Sequence, residues 1–327
     1  MIPSVDPRRL KLLLELSRLG SMREVAQALQ ITTSTVSQQI AALAREAGTP
    51  LVEPEGRRVR LTPAGRRLAD HAVTILAAIE AAQIDLDPSG TPAGTLRVAA
   101  FATAVRERLL PLVAVLAARH PEVRLHIHEH EPSEALGLLA DDDVDLALTY
   151  DYNLAVARFD RSLVIHPLGT ARWSLGTPSA PSAPAAPAAL SALSALAALA
   201  APAGGRGRAR GGETALEVFS EFRDHDWIVN SRNTADDEVI HTVASLAGFQ
   251  PHVAHRADSL ELVQHMIVAG LGVGLLPAAQ TTFRGVTLRR LRDPEVTLRS
   301  YAVTRRGRSA WPPLALVLSL LRETPPR

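Results

Sequence analysis

The chain contains no cysteine. That absence excludes disulfides, thiol nucleophiles, cysteine-ligated zinc and thiol redox sensing, and it suits a reducing, cytoplasmic setting. Lysine is nearly absent as well: Lys11 is the only one among 35 basic residues. A net charge of +1 gives no global basicity that would advertise a polyanionic partner. No strongly apolar run reaches the roughly 20 residues of a spanning helix, because the stretch near 183–203 is laden with Ala, Pro and Ser. The opening MIPSVDPRRLK carries no apolar segment behind a basic one, so no secretory signal is expected. A G-x-S-x-G elbow, a P-loop and an H-E-x-x-H helix are all missing, which argues against an enzyme. Gly270, Gly272 and Gly274 have dinucleotide-loop spacing, but they follow a helix instead of joining strand to helix.

What remains is about two domains' worth of chain: 327 residues, 46% hydrophobic. Residues 6–20, DPRRLKLLLELSRLG, read as a helix with Asp6 as N-cap, Pro7 at N1 and Gly20 as terminator. Ser21 and Glu24 form an S-x-x-E capping box for a second helix, Met22 to Leu29. Thr32 or Thr33 caps a third, running to about Ala47 and stopped by Gly48.

The stretch ITTSTVSQQI (31–40) poses a question. Val36, Ile40 and Leu43 recur at the spacing of one buried helical face, yet the other face is Thr, Ser and Gln, weak helix formers. Two helices joined by a short turn, the second bearing short polar side chains, form a helix-turn-helix pattern. A helix pressed into a DNA major groove wants such a face, since Gln pairs bidentately with adenine and Ser or Thr bond base edges or phosphates. A solvent-facing helix in any small α domain is the alternative. Downstream, Leu51-Val52 and Val59-Arg60-Leu61 bracket a turn and read as a two-stranded wing. Arg57, Arg58, Arg60, Arg66 and Arg67 lie there without an intervening acid, flanked by Glu53, Glu55 and Asp70. Thr62-Pro63 opens a long helix to about Leu86. Its stripe of Leu68, Ala72, Ile75 (or Leu76), Ile79, Ala82 and Leu86 is expected to pack against the same helix of a second subunit.

Beyond the turn-rich Asp87–Gly94 the pattern alternates strand and helix. Strands are expected at 96–101, 123–128, 144–150, 227–229, 252–257 and 273–276. Helices are expected at 105–119, 133–140, 236–247 and 260–269. This implies a mostly parallel, doubly wound sheet. Residues 178–204 are low-complexity Pro, Ser, Ala, Leu and Gly, followed by GRGRARGG, and read as an insertion in which Leu190 to Ala201 could form a short helix. In RLHIHEHEP (124–132), His126, His128 and His130 share one strand face, with Leu125 and Ile127 opposite. Three imidazoles could take zinc or nickel with a carboxylate, but the rim of a sheet is the better reading, so no metal or other cofactor is expected.

With these elements in order, the chain resembles the LysR-type transcriptional regulators. The likeness rests on Gly20-Ser21, Ala26, Leu29, TVSQQI (35–40), Leu43, Gly48, Leu51 and VRLTPAG (59–65). It continues through GTLRVAA (94–100), LLPLVAVLAARHPEV (109–123), VDLALT (144–149), Trp227-Ile228, LAGFQP (246–251) and LELVQHMIVAGLGVGLLP (260–277). The chain departs from the family pattern at Leu13, at Leu51-Val52 and at Glu53-Pro54-Glu55, so the wing is expected to sit differently. The resemblance implies an α/β multidomain fold. A winged helix-turn-helix (1–62) is followed by a linker and dimerisation helix with a hinge (63–90). A two-lobed α/β effector-binding domain (91–327) carries the insertion at about 178–212, its first lobe completed by chain returning near the C-terminus.

The function so implied is a sequence-specific DNA-binding regulator, homodimeric or homotetrameric, modulated by a small polar or anionic effector. A cytoplasmic solute-binding protein without DNA function is the alternative. The DNA candidates are Thr33, Ser34, Thr35, Ser37, Gln38 and Gln39, with Arg57, Arg58 and Arg60 at phosphates. The resemblance places effector residues near Thr103, Tyr150, Ser231, Thr234 and Ser259, although Thr and Ser at such positions are also ordinary helix caps.

Overall fold

The structure is a computed structural model that describes residues 5–55, 58–86, 91–179, 213–232 and 235–323. Helix α1 spans Pro7–Leu19, with Asp6 accepting from the Arg8 amide at 2.8 Å and Gly20 in the left-handed region that ends it. Helix α2 is Met22–Ala28, and the Ser21 hydroxyl accepts from the Glu24 amide, the first half of the expected capping box. Helix α3 is Thr33–Ala47, and its N-cap is Thr32. Val36, Ile40 and Leu43 are fully buried against Leu10, Leu13 and Val25. Leu13, where the family pattern has an aromatic, is simply part of this core.

Strands β1 (Val52–Glu55) and β2 (Arg58–Leu61) pair antiparallel, with Glu53 opposite Arg60. Helix α4, Pro63–Leu86, follows. The Thr62 hydroxyl accepts from the Gly65 amide and donates to the Pro50 carbonyl, tying the helix start to the wing. Gly65 is required there: a Cβ would lie 2.1 Å from the Leu51 carbonyl oxygen.

The stripe expected for α4 divides in a way its periodicity did not foretell. Ala69 and Ala72, with Leu68 and Leu76 beside them, pack into the N-terminal core of the same chain. Ala77 joins the core of the C-terminal domain. Ile75 and Leu86 stay exposed, at 40% and 84%. One face of α4 is therefore used up within the chain, and the apolar residues left for another subunit are fewer than predicted. The linker also touches the C-terminal domain. Trp311 Nε1 donates to Glu80 at 2.8 Å, and Arg305 pairs with Asp70 at 2.5 Å.

The C-terminal domain is built on one nine-stranded sheet. Strands β3 (Gly94–Ala100), β4 (Val123–Glu129) and β5 (Leu146–Tyr152) are parallel, as are β7 (Asp226–Val229), β8 (His252–Arg256) and β9 (Val273–Pro277). Between these halves run two long strands, β6 (Leu163–Pro178) and β11 (Val296–Arg305), antiparallel to each other and to β9 and β5 respectively. Strand β10 (Val286–Arg290) pairs with β6, and the others stand in the order β4-β3-β5-β11-β6-β9-β7-β8. The sheet is thus mixed, where the sequence pattern had suggested one mostly parallel. A register shift at Ser300/Tyr301 bends the long pair where it passes from one lobe to the other.

Around the first lobe lie α5 (Ala102–Ala104), a π-helical turn (Val105–Leu109) and α6 (Leu110–Arg119), so the helix expected over 105–119 begins with a widened turn. Helix α7 (Pro132–Ala140) and the C-terminal α11 (Pro312–Glu323) complete that lobe, with Leu314, Val317 and Leu321 in its core. The second lobe carries α8 (Ala215–Glu221) and α9 (Ala235–Leu246) around Trp227, Phe219 and Val243, and α10 (Leu260–Val268), whose Val263 and Ile267 pack with Ile228 and Leu276. In GLGVGLLP, a Cβ at Gly272 would lie 2.3 Å from the Asp226 carbonyl, and one at Gly274 would lie 3.0 Å from that of Ile228. Those glycines let β9 close against β7. Residues 180–204 of the low-complexity segment, GRGRARGG and the short helix considered at 190–201 lie outside the described residues.

Candidate functional site

Two surfaces gather the candidate residues. On α3, burying Val36, Ile40 and Leu43 turns the opposite face outward. Thr33, Ser34, Ser37 and Gln38 are exposed there. Arg45, also exposed, stands seven residues beyond Gln38 on the same face, a cation the sequence reading passed over. Other candidates are already engaged. Gln39 accepts from Arg9 Nε at 2.9 Å, which points it at α1, and Arg9 also pairs with Glu46. The Thr35 hydroxyl lies 2.8 Å from that of Thr32, and so does the Ser34 hydroxyl, forming a capping cluster at the helix start.

On the wing, Arg60 meets Glu53 at 2.7 Å and Glu55 at 3.9 Å. The expected phosphate contact from Arg60 would have to displace these carboxylates. Arg57 lies outside the described residues, and Arg58 is described only as part of the β2 backbone.

The second surface is a cavity of about 440 Å³ between the two lobes, a size typical of small-molecule sites. Thr103, at the turn from β3 into the helical run, and Tyr150, on β5, both line it. Ser231 and Ser259 do other work. The Ser231 amide and hydroxyl bond Asp258, the amide at 2.9 Å, and Ser259 caps α10 by accepting from the Leu262 amide at 3.3 Å. Capping, the ordinary reading, holds for Ser259. Thr234 lies outside the described residues.

Phe101, Tyr150 and Trp173 line one wall and, with the fully buried Tyr152 behind them, form an edge-to-face run with successive centroids 4.8, 6.0 and 5.5 Å apart. Two buried acids stand with them, and the sequence reading had singled out neither. Glu131 begins α7 in the first lobe and accepts from the Tyr150 hydroxyl at 3.1 Å. Burial pushes its pKa up to about 7, against the lowering pull of that bond and of Arg232. Asp236, at the start of α9 in the second lobe, is pushed up to about 6 by burial. Its Oδ1 is buried without a hydrogen-bond partner. The Thr149 hydroxyl, on a residue that also lines the cavity, is buried without one as well. Pattern reading misses such acids because an acid at a helix start reads as a cap, which Glu131 also is through a capping box with Glu134; only the packed lobe above it takes away its water.

Arg232 bridges the two lobes. It bonds Asp258 of its own lobe at 2.7 Å and reaches Glu129 and Glu134 of the first lobe at 3.4 and 3.5 Å. Arg108, buried in the cavity floor, donates to the Leu168 carbonyl at 3.1 Å. The histidines lie where the strand pattern put them: His126 and His128 are exposed on the edge strand β4, and His130 contacts Glu134 at 3.3 Å.

Family comparison agrees with this geometry. Residues 7–66 match the bacterial regulatory helix-turn-helix protein, lysR family, and residues 89–217 and 213–326 match the LysR substrate binding domain. The chain is 30% identical over 148 residues to the nitrogen assimilation regulatory protein nac of Escherichia coli, covering 45% of this chain and 48% of that one. It therefore spans about half the length of that relative. It is 24% identical over 287 residues to the transcriptional dual regulator GltC of Bacillus subtilis, covering 84% of each. In fold it is similar to a full-length OxyR variant from Pseudomonas aeruginosa, with a TM-score of 0.65 at 16% identity over 98% of this chain and 94% of that one. HinK, a LysR family transcriptional regulator from the same organism, gives a TM-score of 0.54 at 20% identity, covering 98% of each.

Proposed function

The chain belongs to the LysR family of bacterial regulatory proteins, and from that premise we propose that it regulates transcription by binding duplex DNA through α3 under the control of a small molecule held between its lobes. The work divides along the chain. Residues 1–62 engage DNA, 63–90 link and pair subunits, and 91–327 bind the effector. The observation that carries the DNA reading is the uncovered Ser37–Gln38–Arg45 face of α3, fastened from behind by three fully buried aliphatic residues. Gln38 is placed to read a base edge, while Arg45 and the wing arginines answer phosphates. Thr33, Ser34 and Thr35 supply hydroxyls at the helix start, and Gln39 supports the helix from α1.

Two subunits pair through the part of α4 that this chain leaves uncovered, including Ile75 and Leu86. No helix among the described residues is long and apolar enough to cross a membrane. The curated relatives are named as regulators, and the reading needs no catalytic group. Selection of bound sequences from random duplexes by the intact chain tests it. Enrichment of one motif, lost in Gln38→Ala, is expected. Recovery of no motif over background at low salt overturns the reading.

A further inference from the structure

The cavity wall contains two carboxyl groups that approach from opposite lobes, Glu131 on the first and Asp236 on the second. Among the described residues, the cations near them are engaged elsewhere or act at longer range. Arg232 gives its hydrogen bonds to Asp258, Glu129 and Glu134, and acts on Glu131 only at longer range. The buried Tyr152 hydroxyl faces Asp236 without a well-formed bond, and the neighbouring Asp237 is paired with Arg256 at 3.2 Å. Arg106 and Arg108 line the cavity too, but Arg108 gives its N–H groups to the Leu168 and Leu321 carbonyls, and Arg106 is exposed to water. An anion entering this end would meet two acids and the negative faces of several rings. A cation would meet what it needs, carboxylates together with aromatic faces.

We propose that the cleft takes a small organic cation, an amine borne on an apolar body, whose ammonium group lies between Glu131 and Asp236 and so draws the two lobes together. The proposal rests on the cleft being the effector site, and it departs from the small polar or anionic effector expected from sequence. The apolar body rests on Phe101, Tyr150 and Trp173, and the Thr149 hydroxyl offers a further acceptor. In the free protein the two acids are held partly protonated by burial, Glu131 with a pKa of about 7 and Asp236 with one of about 6. A cation favours their ionised forms, so binding releases protons and tightens as pH rises through that range. The other titratable or charged groups facing Glu131 are Tyr150, Tyr152, Arg232, Glu134 and Asp258, and those facing Asp236 are Tyr152 and Asp237.

Three probes of one shape separate the possibilities: phenethylamine, phenethyl alcohol and hydrocinnamate. Titration into the intact chain, followed by Trp173 fluorescence with a Trp173→Phe control, reports binding in this cavity. The amine is expected to bind on the order of tenfold or more tighter than the alcohol, as one charge-assisted hydrogen bond allows. Its affinity should rise between about pH 6 and pH 8. Asp236→Asn should abolish the preference, and Glu131→Gln should flatten the pH dependence; both are isosteric, and circular dichroism of each checks the fold. Hydrocinnamate binding as tightly as the amine overturns the proposal while leaving the cleft as a ligand site. Silence from all three probes at millimolar concentration also overturns it. Motif selection on random DNA, run on the same preparation, reports separately whether the regulatory reading stands.

Discussion

Removing the Asp145 carboxylate should loosen the first lobe and its grip on the linker helix together. Asp145 immediately precedes β5, and its side chain is 2% exposed. It accepts from the Arg97 amide at 3.0 Å, from Arg97 Nε and Nη2 at 3.1 and 3.0 Å, and from Arg308 Nη2 at 3.2 Å. Burial alone would raise its pKa, but the Arg97 and Arg308 guanidinium groups hold it below the usual carboxylate value. Breaking a buried pair by deleting one partner costs about 3–5 kcal/mol. Here Arg97 and Arg308 keep 22% and 20% of their side-chain surface in water, so Asp145→Ala falls at the low end, ~3 kcal/mol. In a domain of this size each kcal/mol moves Tm by about 2–4 °C, which gives a loss of roughly 6–12 °C. Arg308 also stacks on Trp311 at 4.1 Å, and Trp311 donates to Glu80 on α4. Amide exchange in the middle of α4 should therefore rise in the variant. Because the folded pKa is depressed, the stabilisation is present above the unfolded value of about 3.9 and is lost as pH falls through the folded one. Differential scanning calorimetry should thus show the full gap at neutral pH, closing only in acid. A Tm loss smaller than about 2 °C at pH 7 would refute the reasoning, since the charge would then be carrying little of the lobe's stability.

Other perturbations test other joints of the molecule. Gln38→Ala should weaken binding to a selected DNA site by about 1–3 kcal/mol in a gel-shift titration, with little effect on random duplex. Arg45→Ala should weaken all sequences alike and reduce the slope of log K against log salt by about one, read from the same titrations at several salt concentrations. Gly65→Ala places a methyl group on the Leu51 carbonyl. It should destabilise the N-terminal domain by about 1–3 kcal/mol, the usual cost of overpacking, seen as an earlier step in chemical denaturation. Ile75→Glu places a charge on the uncovered face of α4 and should shift sedimentation toward monomer; an unchanged oligomer would show that subunits pair elsewhere.

Local chemistry made the N-terminal third legible. Asp6, Ser21 and Thr32 cap helices, Gly20 and Gly48 stop them, and Val36, Ile40 and Leu43 mark a buried face, all through bonds and spacings within a few residues. The parallel strands β3, β5, β7 and β9 were equally plain, because strands buried on both faces read as continuous apolar runs. The long strands β6 and β11 were not, since each leaves one lobe and enters the other, and their burial changes along their length. The two halves of α4 could not be told apart either: its apolar stripe states that something covers it, and only the folded chain shows that its own two domains take one side. The cleft was the least legible of all. Thr103 and Tyr150 line it, as the resemblance implied, but Ser231 and Ser259 are spent on Asp258 and on a helix cap. Sequence by itself determined the elements, their caps and the polar face of α3, because each of these is settled by neighbours along the chain. Tertiary structure alone decided that two acids share the cleft, because Glu131 and Asp236 stand more than a hundred residues apart and lose their water only where two lobes close over them.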